Sequence, residues 1–371
     1  MIWILSILTL CSVNASGLKT NFSTKESYDI LFGEDNTIHA TTHITNIIRN
    51  GTEGLTTSEI KNLEQLGILS QNGEISTFTP NDLDLVFESE HFRFHYTNEG
   101  TDAISDPNYI FQMAEVFEEV YSFYIDTLNF SAPVSDPASD DILYDVFVEN
   151  LPTYYFGITY TKNTSVSSPA CVSYIKMRNN YDGSQFSEHT ELENVQVTAV
   201  HEFFHAIQFS YNCYERFWFM EATAVWSEDE LYNNVNDHYR YISSWFSNIN
   251  KSLDDESSHM YGSFIFFQYI DEHLGGPNTI RLCWEKSHEL ASPIQDNSIE
   301  SINAALSDLG SSFEETYLKM RIANKIMNTN AGLYSYEEAD GYRSAGGYPL
   351  EKDIFYQKGI SQEDSYFSLD L

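Results

Sequence analysis

The stretch Glu193-Asn194-Val195-Gln196-Val197-Thr198-Ala199-Val200-His201-Glu202-Phe203-Phe204-His205-Ala206-Ile207-Gln208-Phe209-Ser210-Tyr211 decides how this chain is read. Val197, Val200, Phe204 and Ile207 recur at three- and four-residue spacing, which predicts a helix from Glu193 to Tyr211. On such a helix His201 and His205 lie one turn apart on the same side and direct two imidazoles at one metal ion. Glu202 stands about 100° round from His201, where its carboxylate reaches a water at the metal without ligating it. That division of labour is the mechanical content of His-Glu-x-x-His on a helix. In a chain with 11 His among 371 residues, chance supplies about 0.03 such matches, so a fortuitous one is disfavoured.

Two histidines do not complete a reactive metal site, which needs a third protein ligand and an open position. Glu221 is the best candidate. It follows His205 by sixteen residues, on a second helix predicted from about Trp218 to Leu231. The surrounding Trp218-Phe219-Met220-Glu221-Ala222-Thr223-Ala224-Val225-Trp226 is apolar, and an acid there needs a cationic partner. Glu228, Asp229 and Glu230 are the runners-up, read as a solvated charge cluster. A His2Glu set suits Zn2+. Glu202 is then the base that takes a proton from water and returns it to the leaving group. Tyr261, in Ser258-His259-Met260-Tyr261-Gly262-Ser263, is the candidate donor to a developing oxyanion, with His259 as the alternative.

Working outward, Glu90-His91-Phe92-Arg93-Phe94-His95-Tyr96 alternates and predicts a strand. Ile110 to Leu128 is helical in period, and Asp141–Val148 and Ala170–Met177 read as two further strands, with a loop carrying Pro152 and Gly157 between them. The last strand stands just before the metal-site helix. At a sheet edge, its residues Val172, Ser173, Tyr174, Ile175 and Lys176 would pair with an extended peptide by main-chain hydrogen bonds. Beyond the second helix come helical stretches at 238–249, 260–273, 278–289, 298–309 and 313–326. The fold class is therefore α+β: a small mixed sheet with an edge strand and the active-site helix, then a mostly helical C-terminal lobe. The predicted organisation is a leader (1–15), a propeptide or small leading subdomain (16–82) holding a helix from Ser58 to Leu69, a catalytic domain (83–327) and an irregular tail (328–371).

The leader rests on the apolar run Ile2 to Val13, too short to span a bilayer, followed by Val13-Asn14-Ala15, which fits a cleavage site near Ala15. The chain is expected to be secreted, with no membrane insertion after leader removal. Lys plus Arg total 19 against 55 Asp plus Glu, a net charge of −36, which repels nucleic acid. Losing Cys11 leaves Cys171, Cys213 and Cys283, and the expected disulfide joins Cys171 to Cys213.

His201 to His205 with Glu221 resembles the gluzincin zinc metallopeptidases. The longer string His201-Glu202-Phe203-Phe204-His205-Ala206-Ile207-Gln208, then Trp218 to Trp226, is similar to a family of secreted microbial metalloprotease-like proteins, as are Tyr144-Asp145-Val146-Phe147-Val148 and Tyr261-Gly262-Ser263-Phe264. The likeness spans about residues 83–275. It implies a zincin-like fold, zinc on His201, His205 and Glu221, Glu202 as catalytic acid/base, a protein or peptide substrate, and an edge strand at Val172–Met177 that binds it. The spacing from His205 to Glu221 is shorter than in thermolysin-like members. The competing expectations are a non-catalytic binding protein with structural zinc and a zinc hydrolase acting on a non-peptide substrate.

Overall fold

Alternation along Phe92-Arg93-Phe94 becomes strand pairing in the structure, a computed structural model that describes residues 22–33, 40–65, 67–69, 83–136, 142–152, 154–163, 168–291 and 297–346. The leader thus lies outside the described residues. Five strands form one mixed sheet in the order β1-β2-β3-β5-β4: β1 (Leu85–Glu88), β2 (Phe92–Tyr96), β3 (Tyr144–Glu149), β4 (Gly157–Asn163) and β5 (Val172–Arg178). The pairs β2/β3 and β3/β5 are parallel; β1/β2 and β5/β4 are antiparallel.

The order corrects the expected edge. β5, with Val172 to Lys176, is internal, because β3 takes one side of its main chain and β4 the other. The edge nearest the histidines is β4, in the stretch read as a loop. Its Gly-Ile-Thr-Tyr-Thr sequence conceals the strand because both faces are buried, Ile158 and Tyr160 on one and Thr159 and Thr161 on the other. A polar buried face removes the hydrophobic alternation by which a half-exposed strand is recognised.

The sheet has two covered faces. Phe92, Phe94, Val146, Val148, Ile175 and Met177 pack with α4 (Pro107–Tyr121) and α5 (Glu191–Asn212) in the main core. Asp106 caps α4 ahead of Pro107, and a Thr190/Glu193 capping box starts α5, as good helix starts require. The other face, with Phe147, Ile158, Tyr160 and Tyr174, is covered by the leading helices α1 (Thr24–Leu31), α2 (Thr41–Asn50) and α3 (Thr57–Gln65) through Tyr28, Ile44, Ile47 and Leu63.

The C-terminal lobe is helical as expected: α6 (Phe217–Tyr232), α7 (Tyr239–Ser247), α8 (His259–Gly262), α9 (Phe264–His273), α10 (Pro277–Leu290), α11 (Ser298–Asp308), α12 (Phe313–Ile326) and α13 (Ala339–Ser344). The stretch read as an irregular tail packs in part: α13 lies in it, and Tyr336 and Tyr342 are fully buried. No helix among the described residues is long and apolar enough to cross a membrane.

Two predictions follow from the packing. Cys171 and Cys213 form the expected disulfide across 42 residues, and Cys283 is free and buried. Closing a loop of that length restricts the unfolded chain by about 4 kcal/mol, so Cys213→Ser should lower the unfolding free energy by roughly that amount in denaturant titration. The second concerns an acid cluster on α6 and α9. Burial raises Asp229 to about 6, Glu230 to about 9 and Glu272 to about 7. A carboxyl whose folded pKa is raised holds its proton more tightly in the folded state. Glu272 therefore lowers stability as pH rises from the unfolded carboxyl range through about 7. Glu272→Gln should raise the melting temperature at pH 8 and change it less at pH 5.

Candidate metal centre

The turn between α5 and α6 occupies only residues 213–216, so the two helices run back against each other. Several ties fix that turn. The Cys171–Cys213 bridge joins it to the sheet, and the Cys171 and Cys213 N–H groups donate to the Phe209 and Pro169 carbonyls at 2.8 and 2.9 Å. Arg216 donates from Nε to Glu256 Oε1 and from Nη1 to Asp254 Oδ2, both at 3.0 Å. Glu256 Oε1 also accepts the Phe217 N–H at 3.0 Å, one of the donors exposed at the start of α6.

The hairpin carries Glu221 to the two histidines. His201 Nε2 and His205 Nε2 are 3.1 Å apart, and Glu221 Oε2 lies 3.3 Å from the first and 3.7 Å from the second. All three side chains are at most 1 % exposed. A tetrahedral zinc with bonds of about 2.0–2.2 Å sets neighbouring ligand atoms roughly 3.3 Å apart, so these donors have the separations that such an ion needs. Their outward nitrogens are held by hydrogen bonds. His201 Nδ1 meets Glu228 Oε1 at 2.6 Å, and His205 Nδ1 meets Gln208 Oε1 at 2.8 Å. Gln208 is fixed in turn by donating to the Met220 carbonyl and Thr223 Oγ1 at 2.8 and 3.0 Å. With each Nδ1–H donated outward, both Nε2 lone pairs and Glu221 Oε2 point at one spot. Glu221 Oε2 has no hydrogen-bond partner. Such a convergence of lone pairs is unfavourable without a cation or a proton between them.

The electrostatics agree. Burial alone would raise Glu221, but the imidazoles of His205 and His201 beside it hold it well below the ordinary carboxylate range. Burial pushes Glu228 up to about 7 against the lowering effect of His201. Its carboxylate is no solvated charge, as the sequence reading had it: Glu228 is 3 % exposed and is the tether of His201. Asp229 is equally withdrawn from water. With His238 and Glu338 it forms a second close trio, in which His238 Nε2 meets Glu338 Oε2 at 3.0 Å and the neighbouring carboxylates raise the buried imidazole. A protonated histidine between two carboxylates accounts for that trio, and it ties the chain before α13 to α6.

Glu202 lies beside the three donors but makes different contacts. Its Oε2 accepts from Thr159 Oγ1 at 2.7 Å and from Thr41 Oγ1 at 2.8 Å, while Oε1 has no hydrogen-bond partner. Gly157, at the start of β4, makes room for it: a Cβ there would sit 2.9 Å from Glu202 Cγ and 2.6 Å from Thr198 Cγ2. Thr41, Thr42, Thr159, Gly157 and Gln208 were not singled out from the sequence. Thr and Gly carry no motif, and only Gln208, one turn beyond His205, stood where a helix-spacing argument reaches.

The other expected site residues make contacts of their own. Tyr261 is fully buried and stacks on Tyr241, ring centroids 5.2 Å apart. Burial raises the Tyr241 hydroxyl well above the usual range, with the carboxylates of Asp237, Glu228 and Glu221 adding to it against Arg240. The alternative donor, His259, stacks on Trp245 at 4.4 Å and burial lowers it to about 4. Within β5, Ser173 Oγ bonds Tyr144 Oη at 2.9 Å, Tyr174 stacks on Tyr160, and Lys176 pairs with Glu149 at 3.1 Å.

Comparison with known proteins gives one family. The family of unknown function DUF6055 matches residues 79–304, which is 226 of the 371 residues and includes the sheet, both metal-site helices and the chain as far as α11. No curated protein matches the chain. The match begins after α3, so α1 to α3 lie outside it. On more than half of its length, this chain belongs to the family of unknown function DUF6055.

Proposed function

We propose that the protein is a zinc-dependent hydrolase acting on peptide bonds, a gluzincin-like enzyme with His201, His205 and Glu221 as the metal ligands and Glu202 as the acid/base. The observation that carries this reading is the convergence of His201 Nε2, His205 Nε2 and Glu221 Oε2 within 3.7 Å of one another in one buried place, with Glu202 Oε1, which has no hydrogen-bond partner, on the next residue of α5. The ligand set is that of a zinc site with a position left for water or substrate, and the wholly retained Glu202 has no use in a purely structural site.

Zinc in this set supplies Lewis acidity, which polarises a carbonyl and acidifies water. The chain's own groups do the rest. Glu228 and Gln208 orient the imidazoles. Thr159 donates to Glu202 Oε2 and so fixes the carboxylate, which leaves Oε1 to accept a proton. Glu202 takes that proton from the attacking water and gives it to the amine nitrogen as the C–N bond breaks. Peptide is favoured as substrate because β4 is a sheet edge beside Glu202. Its Thr159 N–H points away from β5 and bonds a side chain, Thr41 Oγ1, at 2.9 Å. An extended peptide can take up such an edge N–H. An exported location agrees with the Cys171–Cys213 bridge, since disulfides persist in oxidising compartments.

The ligands and the base separate experimentally. Glu202→Gln should keep stoichiometric zinc, measured by elemental analysis, and lose at least about 100-fold in hydrolysis of a quenched-peptide library. Full activity in that variant would remove Glu202 from the mechanism. Glu221→Ala should lose the metal, and zinc retained there would end its assignment as a ligand. Glu228→Gln removes only the charge behind His201. Zinc affinity should fall by about 10- to 100-fold in competition with a chelator, and unchanged affinity would show that the His201–Glu228 contact does not tune the ligand.

A further inference from the structure

The metal centre is not open to solvent. His201, Glu202, His205 and Glu221 are each at most 1 % exposed. A surface cavity of about 210 Å3 is lined by His91, Asp136, Tyr144, Lys162, Ser173 and Phe203 among others, and by none of these four residues. What covers the centre is the first turn of α2. Thr41 Oγ1 donates to Glu202 Oε2 at 2.8 Å and accepts the Thr159 N–H of the β4 edge at 2.9 Å. Thr42 Oγ1 donates to Glu221 Oε1 at 2.9 Å. The ring of His43 is 1 % exposed and edge-on to Phe22 and Phe217, with burial holding its pKa at about 4. One turn of helix therefore touches the proposed base, the proposed third ligand and the edge N–H beside them.

That turn has no side-chain cap at Ala40, and its N-terminal end meets two carboxylates, the charge a helix N-terminus favours. Ile44, Ile47 and Ile48 then bury against the outer sheet face and anchor the turn. The covering segment also lies outside the family match, which begins at residue 79. The family's domain thus contains the whole centre and none of the cover.

We propose that the leading segment is an intramolecular inhibitor of the metal centre, with Thr41 and Thr42 occupying the place of substrate at the β4 edge. The proposal rests on the hydrolase reading above. Thr41 holds the Glu202 carboxylate and takes the Thr159 N–H that an extended peptide would use, and Thr42 closes the Glu221 side. The enzyme is latent while α2 is seated and becomes active when its first turn is withdrawn.

The test uses the full-length, zinc-loaded chain. Ile47→Asp places a charge in the buried face that anchors α2, and Thr41→Ala with Thr42→Ala removes the two hydroxyls and leaves the anchor intact. Three readouts are taken: zinc content, affinity for a small zinc-directed hydroxamate by calorimetry, and peptide cleavage. Both proteins should bind hydroxamate about tenfold more tightly than the wild type or better, with cleavage rising in parallel and zinc content unchanged. If Ile47→Asp fails to fold cooperatively, Ile47→Ala, which thins the same buried anchor without a charge, decides together with the double alanine variant. Equal hydroxamate affinity and equal cleavage in zinc-replete wild type and variant overturn the inhibitor proposal and leave the zinc assignment standing. A wild type that takes up no zinc overturns both.

Discussion

Carboxylates buried without water are the constraint on which this structure turns. Glu202, Glu221 and Glu228 are all within a few percent of full burial on two adjacent helices. An unpaired charge in such a place costs several kcal/mol, so each must find a cation or a hydrogen-bond donor. Glu221 finds two imidazoles, Glu228 finds the far side of one of them, and Glu202 finds threonine hydroxyls. The surrounding scaffold follows from holding these partners in reach. A four-residue turn returns α6 along α5, the disulfide joins that turn to the sheet, and Arg216 with Glu256 fixes where α6 starts. An ordinary helix pair packed by apolar ridges would tolerate sliding. This one does not, because a shift of one residue would separate Glu221 from His201.

The same constraint explains what could be read from the sequence. The paired histidines and Glu202 were legible because helix geometry is fixed, so a spacing of four residues states a direction in space. Glu221 was legible at one remove, as an acid with no business among Trp218, Phe219 and Trp226. The pairing of Cys171 with Cys213 was one of three that Cys171, Cys213 and Cys283 allow, and the structure selects it. What the sequence concealed was the edge of the sheet. Strand order is a long-range property, and a strand standing just before the helix of the paired histidines in sequence need not be the outermost one. Here β4 turns back beyond β5, and its Thr face, spent on Glu202 rather than on a core, removed the alternation that marks a strand. Glu228 was misjudged for a related reason. Three acids in a row at the end of an apolar helix look solvated, and only the tertiary position of His201 shows that the first of them faces inward.

The two faces of the sheet divide the work. The inner face, through Val146, Ile175 and Met177, supports α5 and so the two histidines of the candidate metal centre. The outer face, through Phe147, Ile158, Tyr160 and Tyr174, supports α1 to α3. β4 belongs to both. Its Ile158 and Tyr160 are the floor for α2, while Thr159 between them reaches Glu202 and presents the edge N–H. Because side chains alternate across a strand, a single three-residue stretch connects the leading segment to the proposed base.

That connection also indicates where the energy of covering the centre resides. A hydrogen bond to a charged group contributes roughly 1.5–3 kcal/mol when the alternative is an unsatisfied buried charge, but withdrawal of α2 admits water, which replaces the Thr41 and Thr42 hydroxyls at much smaller net loss. The apolar contacts have no such substitute. Ile44, Ile47 and Leu63 are fully buried, and each such side chain contributes about 1.5–3 kcal/mol by leaving water. The threonines therefore determine where the first turn of α2 sits, and the isoleucines determine how firmly it stays there. If the leading segment is the inhibitor proposed above, the outer face of the sheet governs access to the candidate metal centre on the other side of β4.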